Sequence, residues 1–415
     1  MTSRDATAIS DGRRSMGGRE LIAVLAVMMS ATALAVDIIL PAFGDIRTEF
    51  GLAPDSTATA GLITSFLLGL AAGQIVSGVL ADRFGRKPIL YLGLGIYVAG
   101  AAAATLAPGM GWLLAARFLW GVGASAPRAL TLSVLRDTYS GERMARALSF
   151  VLALFLLVPI FAPSLGAVLT NLVSWRAATG FTVIVAGGIW LWSRRLPETL
   201  RPENRIDLTW SDISAAARLV VTTRLTVGYM LAVTVLFGVF FSFLASSELI
   251  FSDVFDRGAE FPLIFGGLGI MMGAAALLNG RFVERVGLER WMNGAMIGYL
   301  VATGLLAVVA LATDGSPPFW LFTLLLALIL SMHALLIPNM NTAAMNPMAR
   351  VAGTASAIIG TVATAVGALI GALIDRAYDG TVIPLSLAFL GLGVVAWLLR
   401  RFAATGVDSV VTTEP

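Results

Sequence analysis

Twelve apolar stretches, each close to the roughly 20 residues that a helix needs to cross a bilayer, recur along this chain of 415 residues. Hydrophobic residues make up 58% of the sequence and charged residues 13%, whereas a soluble globular protein has roughly 25% charged residues. Because lipid offers no partner to an open backbone group, each stretch is expected to be a helix. We therefore predict an all-α polytopic membrane protein with twelve transmembrane helices in two pseudo-symmetric six-helix halves. The predicted spans are residues 21–43, 60–81, 88–106, 112–135, 147–170, 177–193, 225–245, 262–279, 291–311, 319–341, 354–374 and 382–399.

The distribution of basic residues predicts the orientation of these spans. With the N-terminus inside, four of the 28 basic residues fall in external segments and two within a span, which leaves 22 in cytoplasmic segments. Since Lys and Arg concentrate on the cytoplasmic side, both termini are expected to be cytoplasmic, in the inner (cytoplasmic) membrane of a cell. The first apolar run continues to Phe43 and further spans follow it, so we interpret it as a span and not as a cleaved signal peptide.

The longest break between spans divides the chain into six plus six. Within this break, Thr209 and Asp212 resemble a capping box that opens a helix toward Val221. A helix resting on the inner membrane face and a solvated linker both remain open. The predicted organisation is a cytoplasmic tail at 1–20, a first half at 21–193, a cytoplasmic linker at 194–224, a second half at 225–399 and a cytoplasmic tail at 400–415.

Two loops at equivalent places in the two halves share the pattern G-x-x-x-[DE]-R-x-G at a constant offset of 202 residues. The loop after the second span reads GVLADRFGRKP over residues 78–88, and the loop after the eighth span reads GRFVERVGLER over residues 280–290. A glycine permits a tight turn, a carboxylate can face a helix N-terminus, and arginines can hold the turn near anionic lipid. This internal repeat indicates two related halves around a central substrate site, an architecture known among transporters.

The first loop resembles the signature of the major facilitator superfamily, G-x-L-a-D-r-x-G-r-k, and the second loop resembles a degenerate copy of it. The resemblance implies the fold of that family and a role for the loop in locking the cytoplasmic gate, which is carried over to Asp82. The residues expected in this gating motif are Gly78, Asp82, Arg83, Gly85, Arg86 and Lys87 in the first copy and Glu284, Arg285 and Gly287 in the second.

Three further segments are similar to one branch of that family. Residues 113–125 resemble the second signature of proton-coupled members, with Arg117 at its arginine and Trp120 where glutamine is common. Residues 37–42 are similar to the D-x-Y-L-P-A ending found in bicyclomycin and chloramphenicol/florfenicol exporters. Residues 162–167 are a partial copy of the antiporter signature G-P-x-x-G-G. The resemblance implies the twelve-helix drug:proton antiporter branch.

Asp37 and Arg117 are charged residues inside apolar stretches, where a charge is costly and usually functional or paired. The helix rise places each residue about 5–9 Å below the outer edge of the membrane, and in the resembled family their helices are neighbours. Burial favours a neutral carboxyl, whereas a nearby arginine favours an ionised one. We therefore predict that the two residues form a proton-coupling pair; a static structural ion pair is the alternative.

Arg128 lies eleven residues after Arg117, and thus on the same stripe of the fourth span, with Gly121 and Ala124 between them. The stripe predicts a helix that lines a watery cavity, in which Arg128 attracts anionic or carbonyl-bearing cargo or forms a salt bridge elsewhere. The only histidine, His333, is interpreted as a packing residue or a proton relay. Contacts with cargo are predicted at Arg128, Gln74, His333, Phe66, Phe150, Phe240 and Asn339, and bending of helices at Pro127, Pro159, Pro163 and Gly166.

The leading prediction of function is proton-coupled efflux of a small amphipathic compound, such as an amphenicol or bicyclomycin-type antibiotic, by alternating access. Secondary transport of a native metabolite, such as a sugar or an anionic amino-acid derivative, and a non-transporting membrane sensor are the alternatives. No nucleophile–base set or nucleotide loop indicates an enzyme, and with no cysteine and one histidine we expect no disulfide, metal or cofactor. The expected partners are a small-molecule substrate, protons and the lipid bilayer, without nucleic acid, and the protein is expected to be a monomer.

Overall fold

The computed structural model describes residues 16–201, 203 and 210–404, and the predicted all-α fold is confirmed within these ranges. Eleven of the described helices are long and apolar enough to cross a membrane. The sixth predicted span forms a helix of 18 residues, which is shorter than each of these eleven. The helices are α1 (Gly18–Asp37), α2 (Phe43–Glu49), α3 (Ala60–Phe84), α4 (Arg86–Thr105), α5 (Met110–Thr138), α6 (Gly141–Leu172), α7 (Trp175–Trp192), α8 (Trp210–Thr222), α9 (Arg224–Leu249), α10 (Phe261–Val286), α11 (Leu288–Ala312), α12 (Phe319–Met345), α13 (Ala352–Asp375) and α14 (Ile383–Ala404).

Helix α1 ends at Asp37, although the first predicted span continues to Phe43. Pro41 lacks the backbone N–H that would continue the helical ladder, and it fits the first turn of the short 3₁₀ segment Leu40–Ala42. The chain then forms α2. Asp37 is therefore the last residue of α1, beside the C-terminal carbonyl groups of that helix, which lack intrahelical partners.

Glycines allow the helices to pack at close range. In the first half, α5 packs against α3 and α4. A β-carbon on Gly121 would overlap the carbonyl oxygen of Phe66, and one on Gly123 would overlap the backbone of Tyr97. In the second half, α9 packs against α13 and α14. The two predicted halves meet where α3 packs against α13 and α6 packs against α10, so these four helices form the boundary between them.

The bundle has two ends. The linker end carries the α3–α4 and α10–α11 loops and α8, and the basic residues predict that it is cytoplasmic; the far end carries α2 and the segment after α9. Helix α8 lies in the predicted linker and packs against α9 and α13. Its Ala216 and Val220 are buried, whereas Leu219 is 40% exposed. The predicted capping residue Thr209 lies outside the described residues.

Candidate functional site

Arg117 lies in a closed shell that three helices form, and its side chain is 0% exposed. Its Nη1 donates a hydrogen bond to the carbonyl oxygen of Ala35 at 2.7 Å, and its Nε donates to that of Leu62 at 3.2 Å. The guanidinium carbon lies 4.6 Å from the ring centre of Phe66 and 4.8 Å from that of Trp120. Cation–π contacts stabilise a desolvated cation, so carbonyl oxygens and aromatic rings hold Arg117 in this structure.

The end of α1 explains why an arginine fits at this point. Ala35 lies in the last turn of α1, where carbonyl oxygens lack intrahelical donors and the helix dipole places partial negative charge. One turn earlier, the carbonyl oxygen of Ala31 accepts a hydrogen bond from the Tyr97 hydroxyl at 2.9 Å. Side chains of α4 and α5 therefore both hold the C-terminal half of α1.

Asp37 is 4% exposed at the end of α1. Among the residues that the structure describes, its carboxyl makes no hydrogen bond and no ion pair. The direct contact with Arg117 expected from the sequence is therefore not formed in this arrangement. The two helices are neighbours, as expected, but the guanidinium binds the backbone carbonyl of Ala35, two residues before Asp37.

The interpretation of the α5 stripe as the wall of a watery cavity is wrong for most of its length. Gly121 packs against the backbone of α3, and Ala124 is 0% exposed. Phe66, a predicted cargo contact, is fully buried against Arg117. Arg128 differs from the rest of the stripe because it is half-buried and makes no hydrogen bond or ion pair within the described ranges.

Three predicted cargo residues lie near the boundary between the halves or inside the second half. The Gln74 side chain of α3 faces Gly360 of α13. His333 is 3% exposed and stacks on Phe240, with ring centres 5.0 Å apart. Neither ring nitrogen of His333 has a hydrogen-bond partner in the described part of the chain. An aromatic stack with unused polar atoms suits either packing or an aromatic ligand, so cargo contact remains a prediction here.

The other two predicted cargo residues are placed differently. The Asn339 amide nitrogen donates to Asn279 Oδ1 at 2.9 Å and to the carbonyl oxygen of Leu335 at 2.8 Å, so its donors serve the bundle itself. Phe150 is 55% exposed on α6. The structure therefore distributes the predicted cargo residues over several clusters.

The predicted hinge positions lie on α5 and α6. A β-carbon on Gly166 would overlap the carbonyl oxygen of Ile38, so only glycine lets α6 pack this closely against the end of α1. Helix α6 runs unbroken through Pro159 and Pro163, and α5 runs unbroken through Pro127. Bending at these four positions remains a prediction.

Arg86 holds the first copy of the predicted gating motif through two carboxylates. Its Nη1 binds Asp82, and its Nε binds Asp137 at 3.0 Å. The Arg86 side chain is 6% exposed, and two hydrogen-bonded anions compensate for the loss of hydration around a buried guanidinium. A cavity of about 610 Å³ adjoins this cluster and is lined also by Arg136 and by residues 352–354 at the start of α13.

Glu198 caps the N-terminus of α4, a role expected from the sequence for a carboxylate within the loop itself. Its Oε1 accepts from the backbone N–H of Arg86 at 2.9 Å, and its Oε2 accepts from that of Lys87 at 3.0 Å. Gly85 adopts a φ of +103°, and a β-carbon there would lie 2.6 Å from Glu198 Oε2. The segment after α7 is therefore bound directly to the loop between α3 and α4.

The second copy of the loop repeats the backbone but not these contacts. Gly287 has a φ of +88°, and a β-carbon there would meet no described atom within 4 Å. Glu284 and Arg285 are exposed and make no ion pair with any described residue. Instead, Glu289 accepts a hydrogen bond from Arg400 of α14 at 2.8 Å.

A buried ion pair joins the two predicted halves at the far end. Nη2 of Arg47, on α2, donates to both carboxylate oxygens of Glu248, on α9, at 3.0 and 2.8 Å. Nη1 of Arg47 donates to Thr59 Oγ1 at 3.1 Å. The two charged side chains are only 6% and 9% exposed. This pair was not expected from the sequence, where Arg47 is one of the four basic residues in predicted external segments.

The family model of the Major Facilitator Superfamily matches residues 25–372. This chain belongs to the major facilitator superfamily. A bicyclomycin resistance protein homolog from Haemophilus influenzae is 30% identical over 92% of this chain and 96% of its own length. A chloramphenicol resistance protein from Pseudomonas aeruginosa is 28% identical over 87% of this chain and 86% of its own length.

A solved structure of a D-xylose-proton symporter matches the same fold. Its TM-score is 0.73 at 14% identity, over 92% of this chain and 97% of that one. The likeness at this identity concerns the fold alone. Together with the family match, it makes this chain a multi-pass membrane transporter of the major facilitator superfamily, a family of transporters and not of enzymes.

Proposed function

We propose that this transporter exports small amphipathic compounds of the amphenicol or bicyclomycin type in exchange for protons. Two relatives that match most of its length are named for resistance to bicyclomycin and to chloramphenicol. Export against a concentration gradient needs an energy source. A proton entering across a membrane potential supplies about 2.3 kcal/mol per 100 mV, in addition to the pH gradient.

The buried carboxyl of Asp37 is the observation that carries the proton-coupling part of this proposal. Its side chain is almost completely shielded from solvent and has no described donor or cation. An ionised carboxylate there would lose its hydration without compensation, and the negative end of the α1 dipole opposes an anion as well. A bound proton therefore suits the closed arrangement, and entry of water allows the proton to leave.

Arg117 supplies the partner for the deprotonated state. In the arrangement described, its guanidinium binds the carbonyl oxygen of Ala35, only two residues before Asp37. A small shift of α1 exchanges this carbonyl for the Asp37 carboxylate. The proton then passes to water, and the carboxylate keeps a cationic partner that stays charged. Cargo that displaces α1 would thereby promote proton release.

The contacts between the halves support alternating access as the mechanism. The far end is closed by Arg47 and Glu248 and by the contact of Gly266 on α10 with Ile160 on α6. The cavity of about 610 Å³ lies at the linker end, beside Asp82. In the proposed cycle, cargo enters from the linker end, and the far end opens once its buried ion pair separates.

Proteoliposomes with an imposed pH gradient test this proposal, with chloramphenicol, bicyclomycin and glutamate as separate probes. We expect gradient-driven accumulation of at least one antibiotic, and we expect Asp37→Asn to reduce it to the background of protein-free vesicles. Asp314→Asn is the matched control, because Asp314 is an exposed acid whose φ of +48° asparagine tolerates.

The other outcomes discriminate between the alternatives. Antibiotic accumulation by Asp37→Asn with an unchanged response to the gradient would refute Asp37 as the coupling site. Accumulation of glutamate alone would favour transport of an anionic metabolite, which Arg128 could attract because it has no partner among the described residues. Binding of a probe without accumulation or proton movement would favour a membrane sensor.

A further inference from the structure

A second buried carboxyl lies in the other half of the transporter. Asp375 is the last residue of α13, as Asp37 is of α1, and it is 4% exposed. Its Oδ1 accepts a hydrogen bond from the Ser242 hydroxyl of α9 at 2.6 Å. Its Oδ2 is buried and has no partner among the described residues. One carboxyl oxygen is thus satisfied and the other is not.

A small cavity lies beside Asp375 at the far end. Asp375 lines this cavity together with Ser242, Ser246, Tyr378 and Leu385, among others. The Ser246 hydroxyl is already used, since it donates to the carbonyl oxygen of Ser242 at 2.7 Å. None of the described residues that line the cavity is a lysine or arginine, so they provide no cation for an ionised Asp375.

The charged groups around the cavity have other partners or lie at the surface. On the α9 side, Glu248 binds Arg47, and Asp253 accepts a hydrogen bond from the Tyr378 hydroxyl at 2.7 Å. Burial and the carboxylate of Asp253 raise the pKa of Tyr378, so that this hydroxyl remains neutral. Arg376 is exposed directly after α13.

The remaining neighbours of the cavity are a loop acid and α14. Asp379 is exposed and accepts a hydrogen bond from the Thr381 hydroxyl at 2.6 Å. Helix α14 contributes only Pro384 and Leu385 to the cavity. None of these groups provides the positive charge that an ionised Asp375 would need.

We propose that Asp375 is a second proton-binding site of this transporter, separate from Asp37 and reached from the far side of the membrane. The proposal rests on the proposed exchange of cargo for protons. Burial without a cation disfavours the carboxylate, and the C-terminal end of α13 adds partial negative charge. The neutral acid suits the site because its carbonyl oxygen accepts from Ser242 while its O–H carries the proton.

The position of Asp375 provides a route for this proton. The next residues, Arg376 and Ala377, are exposed, so the carboxyl lies one residue from the far-end surface. When water reaches the cavity, the carboxylic acid gives its proton to water and the carboxylate becomes hydrated; protonation from the far side reverses the step. Gly371 packs against Gly238 and Ser242, so small sliding motions of α13 along α9 open or close the cavity.

Infrared difference spectroscopy of the purified protein tests the proposal without any cargo, because the C=O stretch of a protonated carboxylic acid is separate from the carboxylate bands. We expect Asp375→Asn to remove one buried carboxylic-acid band and Asp37→Asn to remove a different one. Ser242→Ala should shift the Asp375 band to higher wavenumber, since its carbonyl loses a hydrogen bond. Asp314→Asn should leave both bands unchanged.

An Asp375→Asn spectrum identical to that of the natural protein in this region would overturn the proposal, as would a Ser242→Ala band that does not move. If Asp375→Asn fails to fold, Ser242→Ala still decides the assignment. In proteoliposomes with chloramphenicol and a gradient of about one pH unit, loss of one exchanged proton should lower maximal accumulation about tenfold. The two proposals can fail separately. If Asp375→Asn removes an infrared band but the natural protein transports neither chloramphenicol nor bicyclomycin, the proposed drug export is refuted and the proton site is retained.

Discussion

The loops after α3 and α10 have the same backbone but are held by different contacts. Gly85 and Gly287 both combine a positive φ (+103° and +88°) with an extended ψ (158° and 147°), a conformation that is essentially restricted to glycine. The first loop is anchored by Arg86 and Glu198, whereas Glu284 of the second loop is exposed. The duplicated turn therefore requires its glycine, while the side-chain contacts around it can diverge.

The offset of 202 residues shows how the contacts diverged. Leu288 stands at the position that Arg86 has in the first copy. Glu284, the counterpart of Asp82, therefore has no cation four residues later and stays at the surface. A single change from arginine to leucine is enough to explain why the ion pairs exist in only one copy.

The same offset relates Lys87 to Glu289, so the charge at this position is reversed. In the first half, Glu198 accepts from the backbone N–H of Lys87 at 3.0 Å; in the second, Arg400 donates to Glu289 at 2.8 Å. Each half thus keeps an electrostatic contact between the loop and the segment at or after its last helix. In the first half, Glu198 makes this contact with backbone N–H groups and thereby also caps the N-terminus of α4.

The largest expected loss of stability comes from Arg86→Leu, which places in the first loop the leucine that the second loop has at the equivalent position. Because the side chains of Asp82 and Asp137 are 33% and 18% exposed, leaving them without their buried partner should lower the free energy of unfolding by about 3 kcal/mol, the lower end of the range for a broken buried ion pair. Thermal unfolding in detergent, followed by tryptophan fluorescence, measures this loss. Arg285→Leu is the matched control and should have little effect, since Arg285 is exposed. Equal losses in both variants would refute the proposed difference between the loops.

A smaller difference in stability is expected between the variants Gly85→Ala and Gly287→Ala. Alanine at either position brings strain of about 1–3 kcal/mol, because both positions require a backbone conformation that side chains rarely adopt. At Gly85 the new methyl group also displaces Glu198 and weakens a helix cap, which adds about 1 kcal/mol. The unfolding midpoint should fall further for Gly85→Ala than for Gly287→Ala. The reverse order would show that Glu198 is not held against the loop.

The smallest effect is expected from Glu198→Gln. The amide keeps one acceptor oxygen but loses the second oxygen and the charge at the α4 N-terminus, which should cost about 1 kcal/mol. The matched change Glu284→Gln alters an exposed acid and should leave the unfolding midpoint unchanged. A loss in Glu284→Gln as large as in Glu198→Gln would indicate that the second loop also has an anchoring contact.

Most of the fold could be predicted from the sequence, because each span buries its own backbone hydrogen bonds and only its apolar length has to be recognised. The exception is the end of α1, where Pro41 interrupts an apolar run that continues to Phe43. The paired loops could also be predicted, since the chain repeats their pattern. The family match confirms the family that these motifs indicated.

The contacts of the site could be predicted only in part, because they depend on partners far apart in the chain. Glu198 meets Arg86 across 112 residues, and Glu248 meets Arg47 across 201. The predicted depth in the membrane indicated that Asp37 and Arg117 lie close together. It could not reveal that the carbonyl oxygen of Ala35, which lacks an intrahelical donor, competes with Asp37 for the guanidinium. Asp375 was missed because it lies one residue beyond a predicted span.

In the proposed transport cycle, the Arg47–Glu248 contact makes the opening of the far end depend on hydration more than on ionic strength. While the ion pair is formed, dissolved ions cannot reach it, so salt screens the attraction between the two charges only weakly. Once it parts, incoming water solvates each charge and offsets much of the lost attraction. Salt that weakens a surface ion pair should therefore leave the closed state of this end almost unchanged.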